Sequence, residues 1–349
     1  MELALPTDEE VILINQARAD HAAAMQHAGE PGVPLLAVFG PCAADSNQLP
    51  DGRYATEAHL QDIHAAAKPL GDIDEAGRLV GVKSRTAEGA TGLIHEAGGQ
   101  LVYGRIARSL TAARMALASE IMDESDFVVA SPWLTFVWAG ARTNGDTGVR
   151  YLARHTKEEQ DRGIHPRPVY VKNDQSGELV NAMNAITTII SEDERPRLRM
   201  GLNGPERVTT IANPHVGLLL RGGARFLKPG VPVEELIEEE VTLAQDELEA
   251  RFDQKIPVGF DISHDHAKSE GGGEEGQLRV AEALISLMQK GVIRIDLVMA
   301  ETYILPGKQL ENGNIPGLST VDKCMREAHA RELLSRLNSL QAERNLQLV

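Results

Sequence analysis

With 349 residues, of which 42% are hydrophobic and 25% charged, the chain has an ordinary globular make-up, which excludes disordered, collagenous and coiled-coil classes. A formal charge of −16 at pH 7 opposes nucleic acid and anionic membrane as partners, because binding a phosphate polymer needs a basic surface. Aromatic residues at 4% also offer few platforms for stacked bases, so any anionic ligand must be small and held in a local basic pocket.

The length exceeds that of most single domains, yet α/β barrels of this size form one domain. The opening MELALPTDEE lacks a basic region leading into an apolar stretch, and no run of about 18 apolar residues occurs, so a cytoplasmic location is expected. Cys42 and Cys324 are too few for a disulfide framework and are expected to be reduced thiols.

In chain order, an N-terminal helical stretch carries Val11, Ile14 and Ala17 on one stripe. Short apolar runs then alternate with segments of helical period. The runs lie at 35–39, 78–82, 116–119, 136–141, 169–171, 216–220, 257–263 and 295–300. Between the later ones, Val233, Leu236, Ile237, Val241, Ala244 and Leu248 share a helix face, with Pro232 suited to the first turn. Leu278, Ala281, Leu284, Ile285 and Met288 repeat the pattern. Strand followed by helix, eight times over, predicts a parallel (β/α)8 TIM barrel in one domain, with 1–34 as a helical extension and 35–349 as the barrel. A doubly wound open sheet is the structural rival. Asn203-Gly204 between β-prone runs predicts a β-hairpin inserted before the sixth strand. The glycine-rich SEGGGEEG at 269–276 reads as a flexible connector or a lid.

Barrel sites are built at the C-terminal ends of the strands. Standing there, in order, are Cys42, Lys83, Glu120, Arg142, Lys172, Arg221, His264 and Glu301. Cys42, His264 and Glu301 combine a thiolate, an imidazole and a carboxylate, a ligand set for a divalent transition ion, with a fourth carboxylate still to be found. Lys83, Arg142, Lys172 and Arg221 form a basic cluster suited to a small multivalent anion, since guanidinium groups pair with phosphate and carboxylate through two hydrogen bonds. His266 reads either as a helper of the site or as a loop histidine. An ion beside an anion site suggests that a carbonyl is polarised while an anionic partner attacks it.

The ordered motifs GPCAADS (40–46), RLVGVKSRT (78–86), ASEIMD (118–123), AGARTN (139–144), YVKNDQSG (170–177), LLRGG (219–223), DISHDHAKS (261–269), VMAETYILPGKQ (298–309) and STVDKC (319–324) resemble those of type I DAHP synthase, 3-deoxy-7-phosphoheptulonate synthase. The resemblance spans about Leu36 to Cys324. It implies a (β/α)8 barrel that condenses phosphoenolpyruvate with erythrose 4-phosphate, releasing phosphate, at the first step of the shikimate pathway. It further implies a divalent metal, manganese first and iron, cobalt or zinc as alternatives, on Cys42, His264, Glu301 and Asp322. Arg78, Lys83, Ala141, Arg142, Lys172 and Arg221 would form the phosphoenolpyruvate site, with Glu120 near the phosphate, and Arg85 and Thr86 would hold the aldose phosphate. Lys83, Glu120, Lys172 and His264 would carry the chemistry, Glu120 and Lys172 being among the candidates for the proton transfers to water. A homodimer or homotetramer is implied as well.

Three stretches depart from the family pattern. Ser84 stands where the family has proline, AEGATG follows at 87–92, and the loop carrying 150–166 is long. These changes lie on the aldose side or the rim, so a paralogue using a different aldose is the alternative, and an inactive metabolite-sensing barrel a third reading.

Overall fold

The computed structural model describes residues 8–27, 36–40, 80–82, 84–85, 127–129, 135–138, 156, 159–166, 168–173, 176–191, 197–201, 204–208, 212–303, 325–326, 329, 332–333, 335–337 and 339. For 36–40, 80–85, 127–138, 197–208, 301–303 and 325–326 the description is of the backbone. Helix α1 (Asp8–Gln26) precedes β1 (Leu36–Gly40), β2 (Val80–Val82), β3 (Ser84–Arg85), β4 (Phe127–Val129), β5 (Thr135–Trp138) and β6 (Val169–Lys172). Helix α2 (Val180–Ile190) leads into β7 (Arg197–Gly201), β8 (Gly204–Val208) and β9 (Val216–Leu220). There follow α3 (Val233–Arg251), β10 (Val258–Asp261), the short α4 (Asp265–Ser269), α5 (Gly273–Gln289), β11 (Leu297–Tyr303) and β12 (Met325–Arg326).

The main sheet runs β2-β1-β11-β10-β9-β6-β5-β4-β3. Every pairing from β2 to β5 is parallel. Parallel neighbours need long crossovers, and the helices supply them: α2 between β6 and β9, α3 between β9 and β10, and α4 with α5 between β10 and β11. The protein is therefore α/β, with helices packed on a parallel sheet. The expected runs at 35–39, 78–82, 136–141, 169–171, 216–220, 257–263 and 295–300 all contain strands, and 116–119 lies outside the described residues.

Both faces of the central strands are covered. Val169, Val171, Val216, Leu218, Leu220, Val258, Phe260, Ile262, Val298 and Ala300 join the apolar stripes of α2, α3 and α5 in one core. Tyr170, Leu219, Leu297 and Met299 are equally buried but lie outside that cluster, on the alternate positions. A parallel sheet buried on both sides explains why these runs read as continuously apolar. The stripe expected on α3 is buried throughout, each large side chain contributing about 1.5–3 kcal/mol, and Glu240 is buried with it.

Two details differ from the sequence reading, the strand β4 and the segment 269–276. β4 was not foreseen; it pairs antiparallel with β3 and with β5, the second because the five residues at 130–134 are too few for a crossover. The hairpin is present, closed by Gly201 opposite Gly204, with two residues between the strands. Residues 269–276 are not a flexible connector: α4 ends at Ser269 and α5 begins at Gly273, so the glycines form a tight joint between helices. Helix α1 buries Arg18, Ala22 and Met25 and half-buries Val11, while the side chains of Ile14 and Ala17 lie outside the described residues. Arg18 Nη1 bonds Glu159 Oε2 at 2.8 Å, and Asn15 holds both the Gly163 carbonyl and the His165 amide, tying α1 to the long segment before β6.

Candidate active site

At the C-terminal strand ends, Lys172, Asp261 and His264 come within hydrogen-bond distance of one another. Lys172 closes β6, Arg221 follows β9, Asp261 closes β10, and His264 precedes the first turn of α4. All four are at least 95% buried. Lys172 and Asp261 fall on the face of the sheet turned away from α2, α3 and α5, since their alternate neighbours Val171 and Phe260 face those helices.

The Lys172 ammonium lies between the other two groups, donating to Asp261 Oδ2 at 2.7 Å and facing His264 Nε2 at 2.8 Å. His264 Nε2 is 3.2 Å from the same carboxylate oxygen. An ammonium only donates, so the imidazole accepts at Nε2 and its ring proton is assigned to Nδ1. The other Asp261 oxygen, Oδ1, accepts the Ser263 amide at 3.0 Å, and the Ser263 hydroxyl donates to Gln277 Oε1 at 3.1 Å, which fixes the turn carrying His264 onto α5.

Arg221 contrasts with this saturated triangle. Its Nε and Nη1 are buried without a hydrogen-bond partner among the described residues. Buried guanidinium donors are rarely left unpaired, so an orphaned pair marks a place for an anion. The backbone around it is held: Asn173 Oδ1 accepts the Arg221 amide at 3.0 Å, and Asn173 Nδ2 donates to the Gly222 carbonyl at 3.3 Å. Behind it, Glu240 Oε1 accepts the Gly222 amide at 3.0 Å, and Glu240 Oε2 is 2.8 Å from His266 Nε2. His266 is therefore a buried helix residue stacked near Phe260 at 5.9 Å, not a loop histidine.

Of the remaining expected site residues, Cys42, Arg78, Lys83, Thr86, Glu120, Ala141, Arg142 and Asp322 lie outside the described residues. Arg85 and Glu301 are described in backbone only. Arg85 pairs with Val128, and Glu301 lies opposite Gly40, two positions before Cys42. Among the described residues no three His, Cys, Asp or Glu side chains form a metal cluster. Asp261, Asn173 and Glu240 were missed by the sequence reading. The signals available were a carboxylate ending an apolar run, and a glutamate on the apolar face of α3.

No protein-family model matches the chain, and no curated protein matches it either. Among solved structures, the chain is similar to phospho-2-dehydro-3-deoxyheptonate aldolase from Francisella tularensis SCHU S4, with a TM-score of 0.56 and 18% identity. The similarity covers 99% of this chain and 98% of the other, and at that identity it establishes a shared fold.

Proposed function

We propose that this chain condenses phosphoenolpyruvate with an aldose phosphate, erythrose 4-phosphate being the expected acceptor, to give 3-deoxy-D-arabino-heptulosonate 7-phosphate and phosphate. The observation that carries the reading is the buried Arg221 guanidinium, unpaired at Nε and Nη1 among the described residues, on a backbone that Asn173 ties to the strand end carrying Lys172. The similarity in fold to a phospho-2-dehydro-3-deoxyheptonate aldolase supports it, that name describing the same condensation in reverse. The ordered motifs support it independently.

The reading includes a closed (β/α)8 barrel over 35–349, with 1–34 as an extension. Support for closure comes from the two ends of the strand order. β2 ends at Val82 and β3 begins at Ser84, so one residue joins the first strand of the path to the last. Consecutive Cα atoms are about 3.8 Å apart, so the sheet's edges are within about 8 Å along the chain.

Arg221, with Lys83 and Arg142, would bind the phosphate and carboxylate of phosphoenolpyruvate and offset its repulsion from the second anion. Lys172 would hold a proton between His264 and the reacting atoms, with Asp261 orienting its ammonium through the 2.7 Å hydrogen bond. A divalent metal, manganese first, would rest on Cys42, His264, Glu301 and Asp322. As placed, His264 Nε2 accepts from the Lys172 ammonium, so it would hold an ion only once that ammonium had left the lone pair. When bound, such an ion polarises an aldehyde carbonyl toward attack by the enol carbon. Assembly as a homodimer or homotetramer belongs to the same reading.

The test is phosphate release by the purified chain given phosphoenolpyruvate, manganese and a panel of phosphorylated and free aldoses. Fastest release is expected with erythrose 4-phosphate. A faster aldose would move the assignment to a paralogue of specialised metabolism. No release with any aldose, at manganese, iron, cobalt or zinc, overturns the reading.

A further inference from the structure

Arg221 is aimed by its backbone. Its Nε and Nη1 have no hydrogen-bond partner among the described residues, so their direction is inherited from the backbone at Arg221-Gly222. Three polar groups of that backbone are each tied down. Asn173, next to Lys172, takes the Arg221 amide and gives to the Gly222 carbonyl. Glu240 takes the Gly222 amide on the other side.

Glu240 has 0% and His266 2% of its surface exposed. A carboxylate buried on the apolar face of a helix is costly unless donors satisfy it, and the two it finds are the Gly222 amide and His266 Nε2. His266 also abuts that backbone directly. A Cβ added at Gly222, where φ is +77°, would lie 3.1 Å from His266 Cδ2. The Phe260 ring, inclined 18° to the imidazole, limits how far it could retreat. Helix α3 therefore reaches the strand-end face through one carboxylate, and α4 through one imidazole two positions beyond His264.

We propose that Glu240 and His266 form a positioning brace that sets the Arg221 guanidinium for its anion, acting through the Gly222 peptide and touching no substrate themselves. The proposal rests on the reading of Arg221 as an anion ligand given above. It differs from a merely structural role in its consequence: losing the brace should weaken anion binding more than it slows turnover.

The experiment is calorimetric titration of the full chain with phosphoenolpyruvate and, separately, with inorganic phosphate, alongside thermal melts. Glu240→Ala should weaken phosphoenolpyruvate binding by about tenfold or more, because the Gly222 amide is left without its acceptor. Glu240→Gln should restore affinity to within about threefold, its amide oxygen accepting from Gly222 while its NH2 faces an imidazole that now accepts. Gly222→Ala removes no polar group, yet should weaken binding similarly by straining that backbone and pressing on His266. In phosphate-release assays KM for phosphoenolpyruvate should rise with kcat changed by less than about threefold. Unaltered affinity in Glu240→Ala, or in Gly222→Ala should the first variant fail to fold, overturns the brace alone. Failure of the unaltered chain to bind either anion overturns the anion site and the brace together.

Discussion

The ion pair of Lys172 with Asp261 joins two side chains exposed by only 4% and 0%. Two charges withdrawn from water this completely gain little net stability from each other, but removing one strands the other. Lys172→Met should therefore lower the unfolding free energy by about 3–5 kcal/mol, and the double variant Lys172→Met/Asp261→Asn should recover most of that loss. Urea unfolding checks both. Equal destabilisation in the single and double variants would mean that Asp261 is not stranded by the loss of Lys172. Phosphate release should vanish in both, since neither retains the ammonium that faces His264. Lys172, Arg221 and His264 were legible in the sequence because each follows an apolar run, so their position at a strand end could be read directly. Asn173 and Glu240 were not, because each holds main chain 48, 49 or 18 residues away, Glu240 also meeting His266, and side-chain type alone does not announce such partners.

Between residue and molecule, the strands were the most legible elements and the joints between helices the least. Runs such as VYVK and VGLLL are buried on both faces, so their composition reports the fold without help from distant contacts. Residues 269–276 misled because glycine content reads as looseness. Here it permits closeness, since a Cβ at Gly276 would lie 2.1 Å from the Ala267 carbonyl oxygen. That approach holds α5 against α4, whose first turn follows His264, and the Ser263–Gln277 hydrogen bond reinforces it. Gly276→Ala should force the two helices apart at a cost of about 1–3 kcal/mol and displace the turn bearing His264. The expected result is a lower melting temperature together with a phosphate-release rate reduced by more than the loss of folded protein accounts for. A variant as stable and active as the unaltered chain would show that the joint tolerates separation.

At the scale of the whole molecule, two groups that the fold holds neutral, taken among the described residues, should each tie stability to pH. His215, just before β9, has its imidazole pKa lowered from the ordinary 6.5 by burial. Tyr170, on the face of β6 that also carries Lys172, has its phenol raised well above the ordinary 10.0, first by burial and then by the charge of Asp296. For His215 the unfolded chain binds the proton more readily, so its contribution is complete above pH 6.5 and declines as pH falls through the lowered folded value. For Tyr170 the unfolded chain loses the proton more readily, so its contribution is complete below pH 10.0 and is lost as pH rises toward the raised folded value. His215 is only partly buried, which makes the acid limb the shallower of the two. Melting temperatures should therefore form a plateau between the two values. His215→Gln should flatten the decline below pH 6.5, and Tyr170→Phe the decline above pH 10.0, each leaving the opposite limb unchanged. Thermal melts across that range decide the matter: a basic limb equally steep in Tyr170→Phe would assign the alkaline loss to other groups, and an unchanged acid limb in His215→Gln would do the same for the imidazole.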